Sequence, residues 1–524
     1  MDATTGSTAL ETFVQTMTDR MTTLARTLAA WVQTEPRTLQ QQEAQLLNQL
    51  HELGSLLLSG LLELASPCPV ATLACPCGAT ASFRRLRPAT VTTLLGRLTY
   101  RRATYGCATC KKGHAPLDLQ LQVAAGSFSL GLQELLALLG ATQDSFAEAA
   151  ALLARLCLVQ VCPNSVRAAT EDLGATLVQH TQDAASSAQN QDILPPAQPA
   201  VPRQLYISMD GVLVHCRTSG WREIKTGCVY TTRLQRARRA PYARVLRMEQ
   251  PSYSASLAEA APFGWQLCVE AAVRGVAQAD ELIVIGDGAH WIWTLAEQHF
   301  PGATQIVDWY HASQYVWNAA TSIHTEASAA RTLWAKQQLD ALWEGRLDEV
   351  LCSLAPHAGD AGAVDAAVSY YTTQRARMDY PSYRARNLQI GSGTIESTCK
   401  QLISARLKQA GMLWSEEGAN AVSAVRAWLK SGRWAAALAL RAVPQRRYQQ
   451  SGLVLSEEPV AKPAARKPPT AATARELPVA VRERVQAELA AEAVYHPWRR
   501  AFSIRQQCRQ MAARPDAVER AATA

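Results

Sequence analysis

Three aspartates stand where candidate strands stop. Asp210 ends "QLYISM" and is followed by Gly211. Asp287 ends "LIVIG" and is followed by Gly288, and Asp308 ends "TQIV". A fourth acid, Glu396, follows "GSGTI" at the start of a long helical pattern. Short, β-branched apolar runs closed by turn residues read as strands. Strands buried on both faces belong to sheets covered by helices. A charge in that layer is costly unless it is paired or bound to a metal. Such a sheet can bring residues far apart in sequence to one edge. Asp210, Asp287 and Glu396 gathered there would repel, and hard carboxylate oxygens suit magnesium or manganese. Two such ions can activate a water or a sugar hydroxyl and stabilise the leaving oxygen of a phosphoryl transfer. A plainer reading exists for each acid alone, because Asp-Gly after a strand is a common turn signal. Spacing leaves both readings open.

A second constellation is made of thiols. Cys107-x-x-Cys110 before Gly113 has metal-knuckle spacing, and Cys75-Pro76-Cys77-Gly78 is its irregular partner. Four thiolates converging from two ends of a hairpin suit tetrahedral zinc in a closed, structural site. The alternatives are a ribbon held by packing alone, or Cys68 or His114 as a replacement ligand.

These groups need elements to hold them. Residues 1–65 read as helical, with Leu46, Leu47, Leu50, Leu53, Leu57 and Leu61 at helical spacing. That stripe fits packing within its own domain or a dimerising helix. Residues 66–118 read as a zinc-ribbon-like module, with strands around a turn at Gly96. Residues 119–180 read as helical. "CPNSV" has Asn164 or Ser165 as a cap, so Ser165 to Asp172 is either the reading helix of a helix-turn-helix or part of a plain helical hairpin. Arg167 is its basic residue. The polar, then proline-rich stretch 181–203 reads as a linker. Residues 204–313 alternate strands and helices and predict the first part of a mixed sheet covered by helices. A helical insertion is expected over 314–390, the last core helices over 391–440, and a mobile basic tail over 441–524.

At 524 residues, with 48% hydrophobic and 18% charged residues, the chain suits a multidomain globular α/β protein. A net charge of +8 permits an acidic partner such as nucleic acid without demanding one. No apolar run reaches membrane-span length, and the N-terminus lacks a signal-peptide pattern. The expectation is a cytoplasmic protein whose 13 cysteines are thiols or metal ligands.

Three blocks resemble the catalytic blocks of the ISKra-type family of insertion-sequence transposases: "YISMDGVLVHCRTSGWREIKTGCVY", "VIGDGAHWIWTLAEQHFPGATQIVDWYHASQYVW" and "GSGTIESTCKQLISARLKQAGMLWS". The cysteine segment with "TVTTLLGRLTYRRATYGC" resembles that family too, although its C-P-C departs from the usual C-P-x-C. The likeness covers roughly residues 65–440. It implies a DDE transposase with a ribonuclease-H-like core. Asp210 would be the first acid, on the first strand. Asp287 would be the second, after the fourth strand, and Glu396 the third, on the helix after the insertion. Asp308 and His311 resemble an auxiliary motif of transposases with such an insertion. The implied reaction is cleavage of phosphodiester bonds at element ends by metal-activated water, then strand transfer into target DNA. The partners implied are terminal-repeat and target DNA, with a homodimer or higher oligomer at the nucleoid.

Lys400, Arg406 and Lys408 are candidate phosphate contacts, or a solvated helix face. Trp291, Trp293 and Trp414 are candidates for base stacking or core packing. Arg84, Arg85, Arg101 and Arg102 suggest that residues 1–180 hold end DNA. A structure-selective nuclease on the same core, and a non-enzymatic DNA-binding protein, are the rival readings.

Overall fold

The computed structural model describes residues 3–441, except 67–68, 124–126, 192–193, 198–203, 237–243, 325–328 and 360–361. The expected tail, and with it Cys68, lies outside the described residues apart from Arg441.

Two helices, α1 (Ala3–Thr34) and α2 (Leu39–Leu64), open the chain. A capping box between Thr38 and Gln41 starts α2. Leu46, Leu47, Leu50, Leu57 and Leu61 are exposed on it, so the leucine stripe does not build a core in a single chain. Strands β1 (Thr72–Ala74), β2 (Thr80–Thr93), β3 (Gly96–Cys107) and β4 (Gly113–His114) form an antiparallel sheet in sequence order. The long β2–β3 hairpin turns where expected, at Gly96 with φ 95°. Leu58 and Leu62 of α2 cover Ala89, Val91, Leu98 and Tyr100 on one of its faces.

Helices α3 (Pro116–Gln120), α4 (Leu130–Thr142), α5 (Phe146–Cys157) and α6 (Pro163–Gln191) follow. Helix α6 starts at Pro163, ahead of both expected caps, and runs on to Gln191. Half of the stretch expected as linker is therefore helix. Its residues 181–191 hold no glycine or proline to stop it. Val166, Thr170, Leu173 and Leu177 of α6 are buried.

The central sheet is five-stranded. Its members are β5 (Gln204–Cys216), β6 (Gly220–Arg236), β7 (Arg244–Ser256), β8 (Glu281–Gly286) and β9 (Thr304–Val307), in the order β7-β6-β5-β8-β9. The pairs among β5, β6 and β7 are antiparallel; β5–β8 and β8–β9 are parallel. Tyr206, Ile207, Ser208, Ile283, Val284 and Ile285 are all buried: the two-sided burial read from the apolar run of β8 extends to β5, whose sequence alternates. Helices α7 (Ala260–Val273) and α8 (His290–His299) join these strands, and α7 lays Phe263 and Leu267 over Gly227.

After β9 come α9 (Trp309–Ile323), α10 (Ala329–Trp343), α11 (Leu347–Leu354), α12 (Gly362–Gln374) and α13 (Tyr380–Ala385). The helical insertion thus begins at Trp309, five residues earlier than the pattern predicts. Four tyrosine hydroxyls donate to backbone carbonyls: Tyr370 to Asp287, Tyr371 to Ala312, Tyr380 to Val307 and Tyr383 to Gln305. Three of these bonds fasten the insertion to the ends of β8 and β9, and the Tyr371 bond ties α12 to α9 within it.

Helix α14 (Gly393–Cys399) passes through a π turn, Lys400–Ser404, into α15 (Ala405–Leu407). Helices α16 (Glu416–Lys430) and α17 (Trp434–Ala439) end the described chain. Cys399 lies beside Asp210 and Thr226, so α14 lies on the face of β6 opposite to the one α7 covers at Gly227. The sheet is covered on both sides. Helix α6 closes on α16 where a Cβ at Gly174 would lie 2.3 Å from the Ala421 carbonyl oxygen. That leaves room for glycine alone. Helix α6 is thus packed on the core here, while Arg167, near its start, stays exposed.

Candidate functional site

Asp210 sits two residues past the last β5–β8 pair, Ser208–Ile285. Its Oδ1 accepts the Gly211 N–H at 2.7 Å, and the Cys399 thiol lies beside the same carboxyl. Burial first, then the nearby Asp287 charge, push its pKa up to about 6. The Gly211 N–H, Cys399 and the His311 charge oppose that shift. An acid so raised is short of positive charge.

Asp287 follows β8. Its Oδ1 accepts the Ala289 N–H at 2.9 Å, so the turn reading of Asp-Gly is correct as far as it goes. Gly288 has φ 109°, a conformation that favours glycine. The loop is also gripped from the insertion. Tyr370 Oη donates to the Asp287 carbonyl at 2.8 Å and Gln374 Nε2 to the Gly288 carbonyl at 3.0 Å.

Asp308 caps α9 and is fully buried. Its Oδ2 accepts the His311 N–H at 2.9 Å and His311 Nδ1 at 2.7 Å. Its Oδ1 accepts the Ser392 N–H just before α14. With three donors on its two oxygens, Asp308 joins β9, α9 and α14. Burial pulls the His311 pKa down, but the Asp308 hydrogen bond and charge, with Asp287 and Glu396, outweigh it and raise the imidazole to about 9. His311 is therefore a cation among acids at neutral pH.

Glu396 lies in the first turn of α14, half-buried, and Ser392 Oγ donates to its Oε1 at 3.4 Å. Among the described residues, one oxygen- and nitrogen-rich group has all its ligand atoms within 4.8 Å of one another: Asp308, His311 and Glu396. The expected set of Asp210, Asp287 and Glu396 is not that tight. It is tied through electrostatics, since Asp287 acts on Asp210, and Asp287 and Glu396 both act on His311. Lys400 is exposed at the start of the π turn, one turn beyond Glu396. Lys225 does not reach the acids; it pairs with Glu223 at 3.0 Å.

Cys399, Tyr370 and Ser392 support the site and were not anticipated. Cys399 had a signal: it lies three residues after Glu396, on the same helix face. Tyr370 had none, since its partner is 83 residues away.

The structure corrects some expected contacts. Arg406 is 1% exposed; its Nε donates to the Gly140 carbonyl at 3.0 Å, and its guanidinium lies over Phe146 and Trp414. It clamps α4 and α5 to the core and cannot meet a phosphate where it stands. Trp414 and Trp293 are likewise buried, and Trp291 is packed against the core. Arg102 is buried in an ion pair with Asp118. Arg167 and Lys408 are exposed, though Arg167 feels Glu171.

The four cysteines do meet. Cys75 lies 3.4 Å from Cys77 and 3.5 Å from Cys110, and Cys77 lies 3.7 Å from Cys107, sulfur to sulfur. His114 Nε2 is 3.2 Å from Cys75 Sγ. Backbone N–H groups of Cys110 and Thr109 help lower the Cys107 thiol to about 6. The cluster could hold a metal ion.

The chain belongs to UPF0236, an uncharacterised protein family whose model matches residues 38–441. No curated protein matches it. No helix among the described residues is long and apolar enough to cross a membrane.

Proposed function

We propose that this member of the family is a DDE transposase, with the five-stranded sheet as a ribonuclease-H-like core. The observation that carries the reading is the convergence of acids at one edge of that sheet. Asp210 comes from its first strand in chain order, Asp287 from the end of its fourth, and Glu396 from the helix after the insertion. That is the placement the sequence resemblance implies.

The donor set fits magnesium or manganese. The ligands are hard carboxylates, and Asp210, raised to about 6 beside Asp287, is a group that a bound cation would relieve. Asp210, Asp287 and Glu396 would hold the ions, which when bound supply Lewis-acid activation of water and of the 3′-hydroxyl. Asp308 holds His311 and the start of α14 in place, and so positions Glu396. His311 supplies positive charge beside the acids, and Lys400 stands ready for a phosphate. The test is a strand-cleavage and joining assay on DNA carrying the element ends. Cleavage followed by joining of the 3′ end supports a transposase. Cleavage without joining leaves a nuclease, and binding alone leaves a DNA-binding protein. The exposed leucines of α2 are the surface on which we place pairing of two copies.

One consequence concerns stability. A carboxyl with a raised pKa binds a proton more tightly folded than unfolded, so stability falls as pH rises from about 4 to about 6. Asn mimics the neutral acid. Without divalent ions, Asp210→Asn is expected to resist urea better than the parent at pH 7.5, by up to about 3 kcal/mol for a shift of roughly two units. The advantage should vanish near pH 4, where the parent carboxyl is itself protonated. An equal or lower stability at pH 7.5 would remove the repulsion on which the ion site is argued.

We also assign zinc to the four cysteines. Sulfurs around a tetrahedral zinc with bonds of about 2.3 Å lie about 3.8 Å apart. The observed 3.4–3.7 Å agrees, despite the C-P-C spacing. His114 would stand behind the Cys75 thiolate. Protein purified without chelators is expected to carry one zinc per chain, and Cys107→Ser to lose it. A metal-free parent protein would refute the assignment.

A further inference from the structure

Among the described residues, basic side chains gather in a stretch that holds no acid. Of the chain's 52 Lys and Arg residues, eight lie in 64–117, a stretch with no Asp or Glu. The rest of the chain carries 44 basic and 44 acidic residues, a net charge of zero. Strands β2 and β3 hold six of the eight, and Lys111 and Lys112 lie exposed beside the cysteine cluster at their end.

The two faces of this ribbon differ. Register puts Ala89 opposite Tyr100 and Val91 opposite Leu98 on the face that α2 covers, and Arg102 pairs with Asp118 on that same side. The other face carries Leu86, Pro88, Thr90, Thr92, Arg97, Thr99 and Arg101. Arg97, Thr99 and Arg101 are exposed, and the two arginines have no acidic partner among the described residues. They stand four residues apart on one strand, about 13 Å. Near the cysteine end, the register slips between Phe83 and Arg85, a bulge that falls at Arg84. Bulges re-aim side chains and add twist. Arg84 bends across Gly106, where a Cβ would lie 2.7 Å from its Nε.

We infer that this open face of the β2–β3 ribbon is a duplex-DNA surface that enters the major groove, with Arg97 and Arg101 on phosphates and the threonines toward the base edges. The B-form major groove admits a two-stranded ribbon. Arginine and hydroxyl groups, with no acid, match its walls and floor. The deep, narrow major groove of duplex RNA would not admit the ribbon. The inference rests on the transposase reading only for its choice of DNA as partner.

The test uses the full chain and fluorescence anisotropy with labelled duplexes over a range of salt. The double variant Arg97→Gln, Arg101→Gln is expected to flatten the slope of log affinity against log salt by about 1.8, close to 0.9 per phosphate contact. A charge-matched control, Arg155→Gln with Lys336→Gln, both exposed, should leave the slope unchanged. An unchanged slope in the ribbon variant overturns the inference. So does equal affinity for duplex RNA, or binding to phosphatidylserine vesicles with none to DNA. The function reading fails separately: ribbon-dependent binding without any metal-dependent cleavage would sink the transposase and leave the ribbon. Cleavage with a ribbon variant that binds normally would do the reverse.

Discussion

Asp210→Asn, Asp287→Asn and Glu396→Gln are each expected to lower magnesium-dependent strand cleavage about 1,000-fold or more. Each removes a carboxylate from a set argued to hold the ions, and those ions supply several kcal/mol of charge stabilisation in the transition state. At about 1.4 kcal/mol per tenfold, that is three orders of magnitude or more. Duplex binding should survive in all three, because the phosphate contacts are placed elsewhere, on the ribbon. Gel-resolved cleavage and anisotropy on the same preparations make the comparison. Near-normal cleavage in any one variant would take that residue out of the set. Asp210→Asn should be both inactive and more stable, which a variant that merely misfolds cannot be.

The second large effect is expected at Asp308. This carboxylate is fully buried and accepts from His311 twice and from Ser392 once. Asp308→Ala would strand two backbone N–H groups and an imidazole. Breaking a buried pair by removing one partner costs about 3–5 kcal/mol. The pH signature follows from His311. Its folded pKa is raised to about 9 from an ordinary 6.5, so the stabilisation is complete below about pH 6.5 and is lost as pH rises through 9. The gap in stability between parent and Asp308→Ala should therefore narrow from pH 6 to pH 9.5, and the imidazole resonance of the variant should titrate below 6.5.

Asp308→Asn keeps the shape and tests the chemistry. It should slow cleavage while manganese still binds, whereas Glu396→Gln should lose both. The opposite result would move the ion into the tight group of Asp308, His311 and Glu396, and the third acid would be Asp308.

What could be read beforehand was local. The strand before Asp287 announces itself by an apolar run of four with Gly-Asp-Gly behind it, the one before Asp210 by an alternating pattern with Asp-Gly behind it, and the one before Asp308 by a shorter β-branched run. The cysteines announce themselves by spacing, and they converge even with one residue fewer in the first knuckle. What could not be read depended on distant partners. Arg406 looks like any solvated arginine until Gly140, 266 residues earlier, is brought under it. Asp308 could be paired with His311 from their spacing, but its bond to Ser392 spans 84 residues. Helix α6 overran its expected end because polar composition does not separate a linker from an exposed helix turn, and the packing of Gly174 on Ala421 lies outside local pattern.

The bonds that fasten the insertion also set an order in time. Asp287 is held by Tyr370, and Glu396 comes later still, while the ribbon and the apolar residues packed on it are complete by Val123. A chain made at about 5–20 residues per second needs roughly 15–60 s to go from one to the other. During synthesis, then, the surface assigned to DNA is finished well before the acids can meet. For that interval the nascent protein has a grip and no blade.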